Sequence, residues 1–179
     1  SELKAGQEIA LLKKVILDEA STEAREQAAK AIEDMGTNAL QFILGADYSL
    51  KVELKRQVKG DVANIYVVQI DENGETIETE PSEEDGGGIA DIVSMAMQFA
   101  ILELANGDNK SPFFLDEPTK FVSKGYSERV AQFISSMSKS FDRQIVLVTH
   151  DEYLSNSGDI AYHVQRNGLG QSVVTKIGE

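Results

Sequence analysis

Apolar and polar positions alternate with different periods along the chain, and the changes of period separate its elements. From about Glu8 to Leu44 the pattern is helical. Ile9, Leu12 and Ile16 lie three and four apart, and Ala28, Ile32, Met35, Ala39 and Phe42 continue in alternating steps of four and three. That is the seam of a coiled coil. Ser21-Thr22-Glu23 interrupts it, since Ser21 suits a helix cap and Glu23 a first turn. A helix pair, or one broken helix, is therefore expected to form a projecting arm over residues 1–45, with Gly45 as its C-cap. An ordinary amphipathic surface helix is the plainer alternative; the small Ala residues in the seam and the charged flanks favour the arm.

Beyond the arm the period shortens to two. Residues 48–58 and 62–70 are predicted strands, Asn73-Gly74 a tight hairpin turn and Glu75 to Glu80 a returning strand. The acidic stretch Pro81-Ser82-Glu83-Glu84-Asp85 reads as a loop. Gly86-Gly87-Gly88 then opens a helix from about Ile89 to Leu104, apolar around most of its circumference except for a narrow stripe of Asp91, Ser94 and Gln98. Such a helix is buried. After a loop from Ala105 to Ser111, Phe113-Phe114-Leu115 is an apolar run that ends in Asp116, Glu117 and Pro118, and it reads as a buried parallel strand. Ser127 is a candidate cap for a helix with Val130, Phe133, Ile134 and Met137 on one face. A second apolar run, Gln144 to Val148, leads into Thr149-His150-Asp151. Strand, helix, strand in this order predicts a right-handed crossover and a parallel pair. The tail is predicted as strands 159–165 and 171–177 with a hairpin at Asn167-Gly168. The fold class is α/β, with parallel core strands, an antiparallel hairpin unit and an N-terminal coiled-coil stub before a lobe spanning residues 46–179.

Composition narrows the function classes. A chain of 179 residues, 41% hydrophobic and 26% charged, is one globular domain of ordinary size. It has no cysteine, which excludes disulfides and thiolate metal sites. No run of eighteen apolar residues suggests a membrane span, and Ser1-Glu2-Leu3-Lys4 lacks the features of a signal peptide. A formal net charge of −13 argues against an all-round basic nucleic-acid binder. Lys51, Lys55, Arg56 and Lys59 form one basic knot, read first as a solvated hairpin face and second as a contact for a nucleic-acid backbone.

The candidate chemistry sits at two strand tips. Ligands of open α/β sheets lie at the carboxyl ends of parallel strands, where this chain places Asp116-Glu117 and Thr149-His150-Asp151. Either group alone is more often a surface or capping feature, but together they point to nucleotide hydrolysis. The glycine run before a helix would let a phosphate approach free backbone N–H groups, although three glycines equally make a flexible loop. His163 has no such context and reads as a surface residue of a strand.

In its order of glycine-opened buried helix, Asp-Glu strand, helix and His strand, the chain resembles the C-terminal lobe of ABC-type ATPase heads, a P-loop NTPase fold. The likeness is nearest to the SMC and SbcC class, coiled-coil ATPases of chromosome maintenance and double-strand-break repair, in which an arm returns into this lobe. Phe113 to Thr119 looks like a Walker B strand and Ile145 to Asp151 like a switch-histidine strand. The resemblance implies that Asp116 holds Mg²⁺ through its hydration shell. It makes Glu117 the general base for the attacking water and His150 a contact to the γ-phosphate of ATP. Gly86, Gly87 and Gly88 stand where the signature loop meets ATP on the opposite protomer. Gly86 replaces the usual Ser of that loop, Ile89 its polar residue, and Ser123 the Asp of the D-loop. The chain has no Gly-x-x-x-x-Gly-Lys-Ser/Thr loop. A Walker-A-bearing N-terminal lobe is therefore expected as a partner, from a longer polypeptide cut inside the arm or from a separate chain, and this chain alone is expected to be inactive. The resemblance further implies a head-to-head dimer, DNA and a nuclease subunit as partners, and a cytoplasmic location without membrane attachment. A non-hydrolysing scaffold head and a transporter nucleotide-binding subunit are the other readings, the latter disfavoured by the arm.

Overall fold

A computed structural model describes the backbone of residues 2–57, 60–81, 87–106 and 111–177, and the side chains of residues 21–56, 62–81, 87–104 and 111–177. The chain begins with one continuous helix, α1 (Glu2–Ile43). The break expected at Ser21 does not occur. Ser and Thr inside a helix cost only a few tenths of a kcal/mol relative to Ala, and side-chain pairs bridge successive turns beyond them. Gln27 donates to Glu23, and Lys30 reaches both Glu33 and Asp34. Thr22 to Gln27 are exposed, whereas Ala39, Leu40 and Ile43 at the other end are fully buried. The helix ends before Gly45, whose φ of 138° lies outside the range comfortable for a side chain.

α1 is fastened along an open sheet edge. Strands β1 (Tyr48–Gln57), β2 (Gly60–Ile70) and β3 (Thr76–Thr79) form an antiparallel meander in which β1 is an edge strand. The backbone groups of such an edge need partners, and α1 supplies them. Thr37 Oγ1 accepts from the Leu50 N–H at 2.9 Å and donates to the Leu50 carbonyl at 3.4 Å, and the Glu33 carboxylate accepts from the Val52 N–H at 3.0 Å. Gly36 lies between these two anchors. A Cβ there would sit 2.2 Å from Leu50 Cδ2, so only glycine lets helix and strand approach this closely. On the outer face of the meander Lys51 pairs with Glu78 at 2.9 Å and Lys55 with Glu53 at 3.0 Å. These two members of the basic knot are thus balanced by carboxylates on their own sheet, as a solvated face requires; Lys59 lies outside the described residues.

The β2–β3 turn is a three-residue loop: Gly74 N–H donates to the Asp71 carbonyl, Asp71 N–H to the Glu75 carbonyl, and Gly74 has a φ of 81°. The same construction closes the terminal hairpin of β6 (Ala161–Arg166) and β7 (Ser172–Ile177). There the left-handed position is Gly170, not the Gly168 favoured by the sequence pattern. His163 lies exposed on β6.

The second half of the chain is a βαβ unit around β4 (Phe113–Asp116), α3 (Ser127–Ser140) and β5 (Ile145–Val148), preceded by α2 (Gly88–Asn106) and followed by the short α4 (Glu152–Ser157). β4 and β5 pair in parallel, with Phe113 opposite Ile145 and Asp116 opposite Val148. α2 buries Ile92, Val93, Met95, Ala96, Phe99 and Ala100, but Ile101 and Leu104 are half exposed, so its apolar belt is only partly covered. Phe99 stacks on Phe113 with ring centroids 4.5 Å apart, and Phe133 of α3 meets both Phe99 and Phe42. The core is thus shared by α1, the meander, α2, β4 and α3. Arg143, 5% exposed, anchors the lower end of the unit by pairing with Glu103 and donating to the Ser111 carbonyl.

Burial of β4 differs from expectation. Phe113 and Leu115 face the core, but Phe114 is 70% exposed, and Val148 on β5 is 59% exposed. Parallel strands are ordinarily covered on both faces. The exposed residues Phe114, Asp116 and Val148 lie on one face, so that face of the two-stranded sheet stands open.

Candidate functional site

The two strand tips meet. The β4–β5 ladder continues one residue past Asp116, where the Glu117 N–H donates to the Val148 carbonyl at 2.9 Å. Glu117 then adopts a left-handed backbone, φ 47°. Such a conformation costs a non-glycine residue on the order of 1–3 kcal/mol and is held only where its surroundings determine it. Here the ladder fixes one side of Glu117 and a turn fixes the other, with the Lys120 N–H on the Glu117 carbonyl and the Val122 N–H on the Thr119 carbonyl. The Glu117 side chain meets the end of β5, and its Oε2 lies 2.8 Å from His150 Nδ1 and 3.4 Å from the His150 N–H. The imidazole is largely exposed and the carboxylate about one-third exposed.

Asp116 ends β4 with an exposed side chain. Residues 114 and 116 of a strand share one face, and they stand opposite Val146 and Val148. The Asp116 carboxylate therefore belongs to the open apolar face of the sheet. Among the described residues no group of three or more His, Cys, Asp or Glu side chains is arranged to enclose a metal. One exposed carboxylate suits Mg²⁺ that arrives with phosphate oxygens and water, not a metal caged by protein.

The glycine segment is placed elsewhere. Gly86 lies outside the described residues. Gly87, with φ 73°, lies under the Phe121 side chain, and a Cβ on Gly88 would come 3.0 Å from the Phe121 carbonyl. Asp91, in the first turn of α2, accepts from the Phe121 N–H at 2.8 Å. The glycine-opened helix is thus joined to the loop that follows Glu117. Among the described residues no hydrogen bond joins Gly87 or Gly88 to Asp116, Glu117 or His150.

Two further residues shape the His150 loop. Ser127, expected as a helix cap, donates its hydroxyl to Asp151 Oδ2 at 2.7 Å instead. Asp151 Oδ1 caps α4 by accepting from the Tyr153 and Leu154 N–H groups. Burial pushes the Asp151 carboxyl up, but the Ser127 hydroxyl, these two N–H groups and the Lys124 charge together outweigh it and hold the group below the usual carboxylate range. The capping part was readable from Asp151 before a short polar helix. The bond to Ser127, across 24 residues, was not.

Comparison with known proteins bears on this arrangement. No family model matches the chain. Among curated proteins it is similar to the DNA double-strand break repair Rad50 ATPase of Methanopyrus kandleri, 30% identical over 156 residues, 86% of this chain and 16% of that protein. The protein of the same name from Methanosarcina mazei is 33% identical over 105 residues, 55% of this chain and 10% of the relative. The chain therefore spans only about a tenth to a sixth of the length of these curated relatives. Among solved structures, an SMC ATPase studied for ATP-driven dimerization and DNA-stimulated activation superposes with a TM-score of 0.66 at 18% identity, over 85% of this chain and 86% of that one. The Smc head domain of Pyrococcus yayanosii, solved with a coiled coil and joint, gives 0.66 at 16% identity over 95% of this chain and 31% of its own length. The fold is that of an SMC ATPase head. The chain resembles the C-terminal lobe of a Rad50/SMC-type ATPase head. Against that pattern the lobe presents an exposed Phe121 and Ser123 in the segment after its Asp-Glu pair.

Proposed function

We propose that this chain is the C-terminal lobe of a Rad50/SMC-like ATPase head that hydrolyses ATP only when a lobe bearing a Walker A loop completes the site. Residues 1–45 are its arm and residues 46–179 the lobe. The observation that carries the reading is the contact between Glu117 and His150, 2.8 Å apart at the tips of two parallel strands. It is supported by the open sheet face that Phe114, Val148 and Asp116 share. A body that covers this face brings its own groups directly to Asp116.

In this reading Glu117 accepts a proton from the attacking water. His150 shares the Glu117 carboxylate until nucleotide enters and then donates to the γ-phosphate. Asp116 would hold Mg²⁺ through its hydration shell, and the ion, when bound, would neutralise charge on the phosphates. Gly87 and Gly88, with Gly86 before them, contribute backbone donors to nucleotide on the opposing head. Dimerisation of heads and action on DNA belong to the same proposal by analogy with the named relatives, and a nuclease partner and a cytoplasmic location belong to it through the resemblance noted in the sequence. No described helix is long and apolar enough to cross a membrane.

The test is ATP hydrolysis with Mg²⁺ by this chain alone and mixed with a Walker-A-bearing lobe. Turnover in the mixture only, abolished by Glu117→Gln, supports the composite site. A mixture that associates and binds ATP yet never turns over transfers the reading to a scaffold head.

A further inference from the structure

We infer that Ser127 and Asp151 form a clamp that positions His150 against Glu117, so that Ser127 is a positioning residue for hydrolysis although it touches neither reacting group. The inference rests on the site proposed above and goes beyond it, since Ser127 lies outside both strand tips and that reading gives Asp151 no role.

The clamp has two halves. On one side Asp151 fixes the loop that carries His150. Its backbone N–H donates to Thr149 Oγ1 at 3.0 Å, and its Oδ1 takes the Tyr153 and Leu154 N–H groups at 2.8 and 3.1 Å. His150 thus sits between two residues tied to each other. On the other side, the remaining Asp151 oxygen takes the Ser127 hydroxyl at 2.7 Å. Ser127 is 5% exposed and opens α3, whose Val130 and Phe133 are locked in the core. A hydroxyl-to-carboxylate bond of this length is among the stronger neutral-to-charged bonds. The loop after β5 is therefore referenced to the rigid start of α3, and not only to its own strand.

That reference matters because little else restrains the ring. His150 is largely exposed, and its only described side-chain partner is Glu117. If the loop shifts by an ångström, the imidazole leaves both Glu117 and the place where a γ-phosphate would lie, and misplacement on this scale can cost up to about a hundredfold in rate. Ser127 acts here through geometry alone. Its loss should lower turnover with little effect on the capture of nucleotide, because His150 supplies one contact to the γ-phosphate and the other nucleotide contacts lie outside this loop.

Two measurements test the clamp. In the completed head, Ser127→Ala should lower kcat about tenfold, with KM for ATP held within about twofold and Ser127→Thr restoring the rate. In a His150→Ala background the same change should cost nothing more, because Ser127 works through that ring. Equal losses in both backgrounds, or a Ser127→Ala enzyme with unchanged kcat, overturn the inference. In the isolated chain, amide hydrogen exchange reads the clamp without any activity. Ser127→Ala should speed exchange at Tyr153 and Leu154 while the amides of α3 stay protected, and Ser127→Thr should not. Unchanged exchange at those two amides refutes the clamp whatever the fate of the ATPase reading. Changed exchange in a chain that never supports hydrolysis keeps the clamp's geometry and removes its catalytic purpose.

Discussion

Gly36 offers a prediction whose sign is opposite to the usual rule. In an unencumbered helix interior, Gly→Ala stabilises by about 0.8–1.0 kcal/mol. Gly36 lies in the interior of α1 and should follow the rule if only propensity mattered. The structure says otherwise. A Cβ at this position would stand 2.2 Å from Leu50 Cδ2, 3.0 Å from its Cβ and 3.1 Å from its Cγ. Carbon atoms pack at about 3.5–4.0 Å, so the nearest pair is short by more than an ångström. Leu50 is 3% exposed, and its Cβ and Cγ crowd the position as well as its Cδ2, so a change of rotamer alone does not clear it. The overpacking costs about 1–3 kcal/mol. If α1 backs away instead, Thr37 loses its two bonds to Leu50, about 1 kcal/mol each.

Less the propensity gain, Gly36→Ala should destabilise by up to about 2 kcal/mol, and a domain of this size loses about 2–4 °C in Tm per kcal/mol. Thermal unfolding followed by far-UV circular dichroism reads the shift, and urea titration checks it. Leu50→Ala supplies the control. Alone it costs about 2–5 kcal/mol, but it removes the Cγ and Cδ2 obstacles and leaves only the Cβ at 3.0 Å, so adding Gly36→Ala to it should raise stability by up to about 1 kcal/mol. The sign of the Gly36 substitution should thus reverse between the two backgrounds. A stabilising Gly36→Ala in the native background, or the same change in both, refutes the close approach of helix and strand.

Three other perturbations follow from the same geometry. Glu103→Ala strands the buried Arg143 guanidinium and should cost about 3 kcal/mol or more, with the Glu103→Ala/Arg143→Met pair costing clearly less; both are read by urea unfolding. Arg129→Ala removes the donor on the Ile43 carbonyl at the end of α1 and should cost about 1 kcal/mol, seen as a small fall in Tm. The Asp151 carboxyl is held below its ordinary value in the folded chain, so its contribution is fully present above the unfolded value, about pH 4, and is lost as the pH falls through the lowered folded value. The Tm difference between the native chain and Asp151→Asn should therefore be constant from pH 7 to about pH 5 and shrink below about pH 4; a difference that is flat to pH 3 would contradict the hydrogen bonds assigned to this carboxylate.

What the sequence made legible was whatever a period or a turn residue encodes locally. The parallel pair, the intervening helix with Val130, Phe133 and Ile134 inward, and the three-stranded meander lie where alternation and helical spacing put them. The errors arose where a residue with a local habit found a distant partner. Ser21 looks like a cap but stays inside a helix supported by side-chain pairs from Glu23 onward. Ser127 looks like a cap but bonds Asp151. Asn167-Gly168 looks like a two-residue turn, yet the hairpin closes over three residues with Gly170 as its left-handed position. Residue order showed which side chains stand at the strand tips. It did not show that Glu117 turns through a left-handed backbone to reach His150, because that conformation is set by the ladder bond to Val148 and not by Glu117 itself.

The burial of β4 shows where reading from local pattern stops and the reason is physical. Phe113-Phe114-Leu115 is apolar at every position, the mark of a strand covered on both faces, yet only Phe113 and Leu115 are covered within this chain. The pattern describes the environment in which a sequence works, and a strand apolar on both faces next to an open face implies a second body. Asp116 points the same way. Among the described residues the Asp116 carboxylate makes no hydrogen bond or ion pair, while the residues that follow it are held tightly: Glu117 by the ladder and by His150, and His150 by Asp151 and Ser127. Half of the site is thus preorganised and half is left to whatever covers Phe114 and Val148. On the proposed reading, a hydrolytic centre divided in this way is silent until the two bodies meet, and assembly gates hydrolysis before any residue acts on substrate.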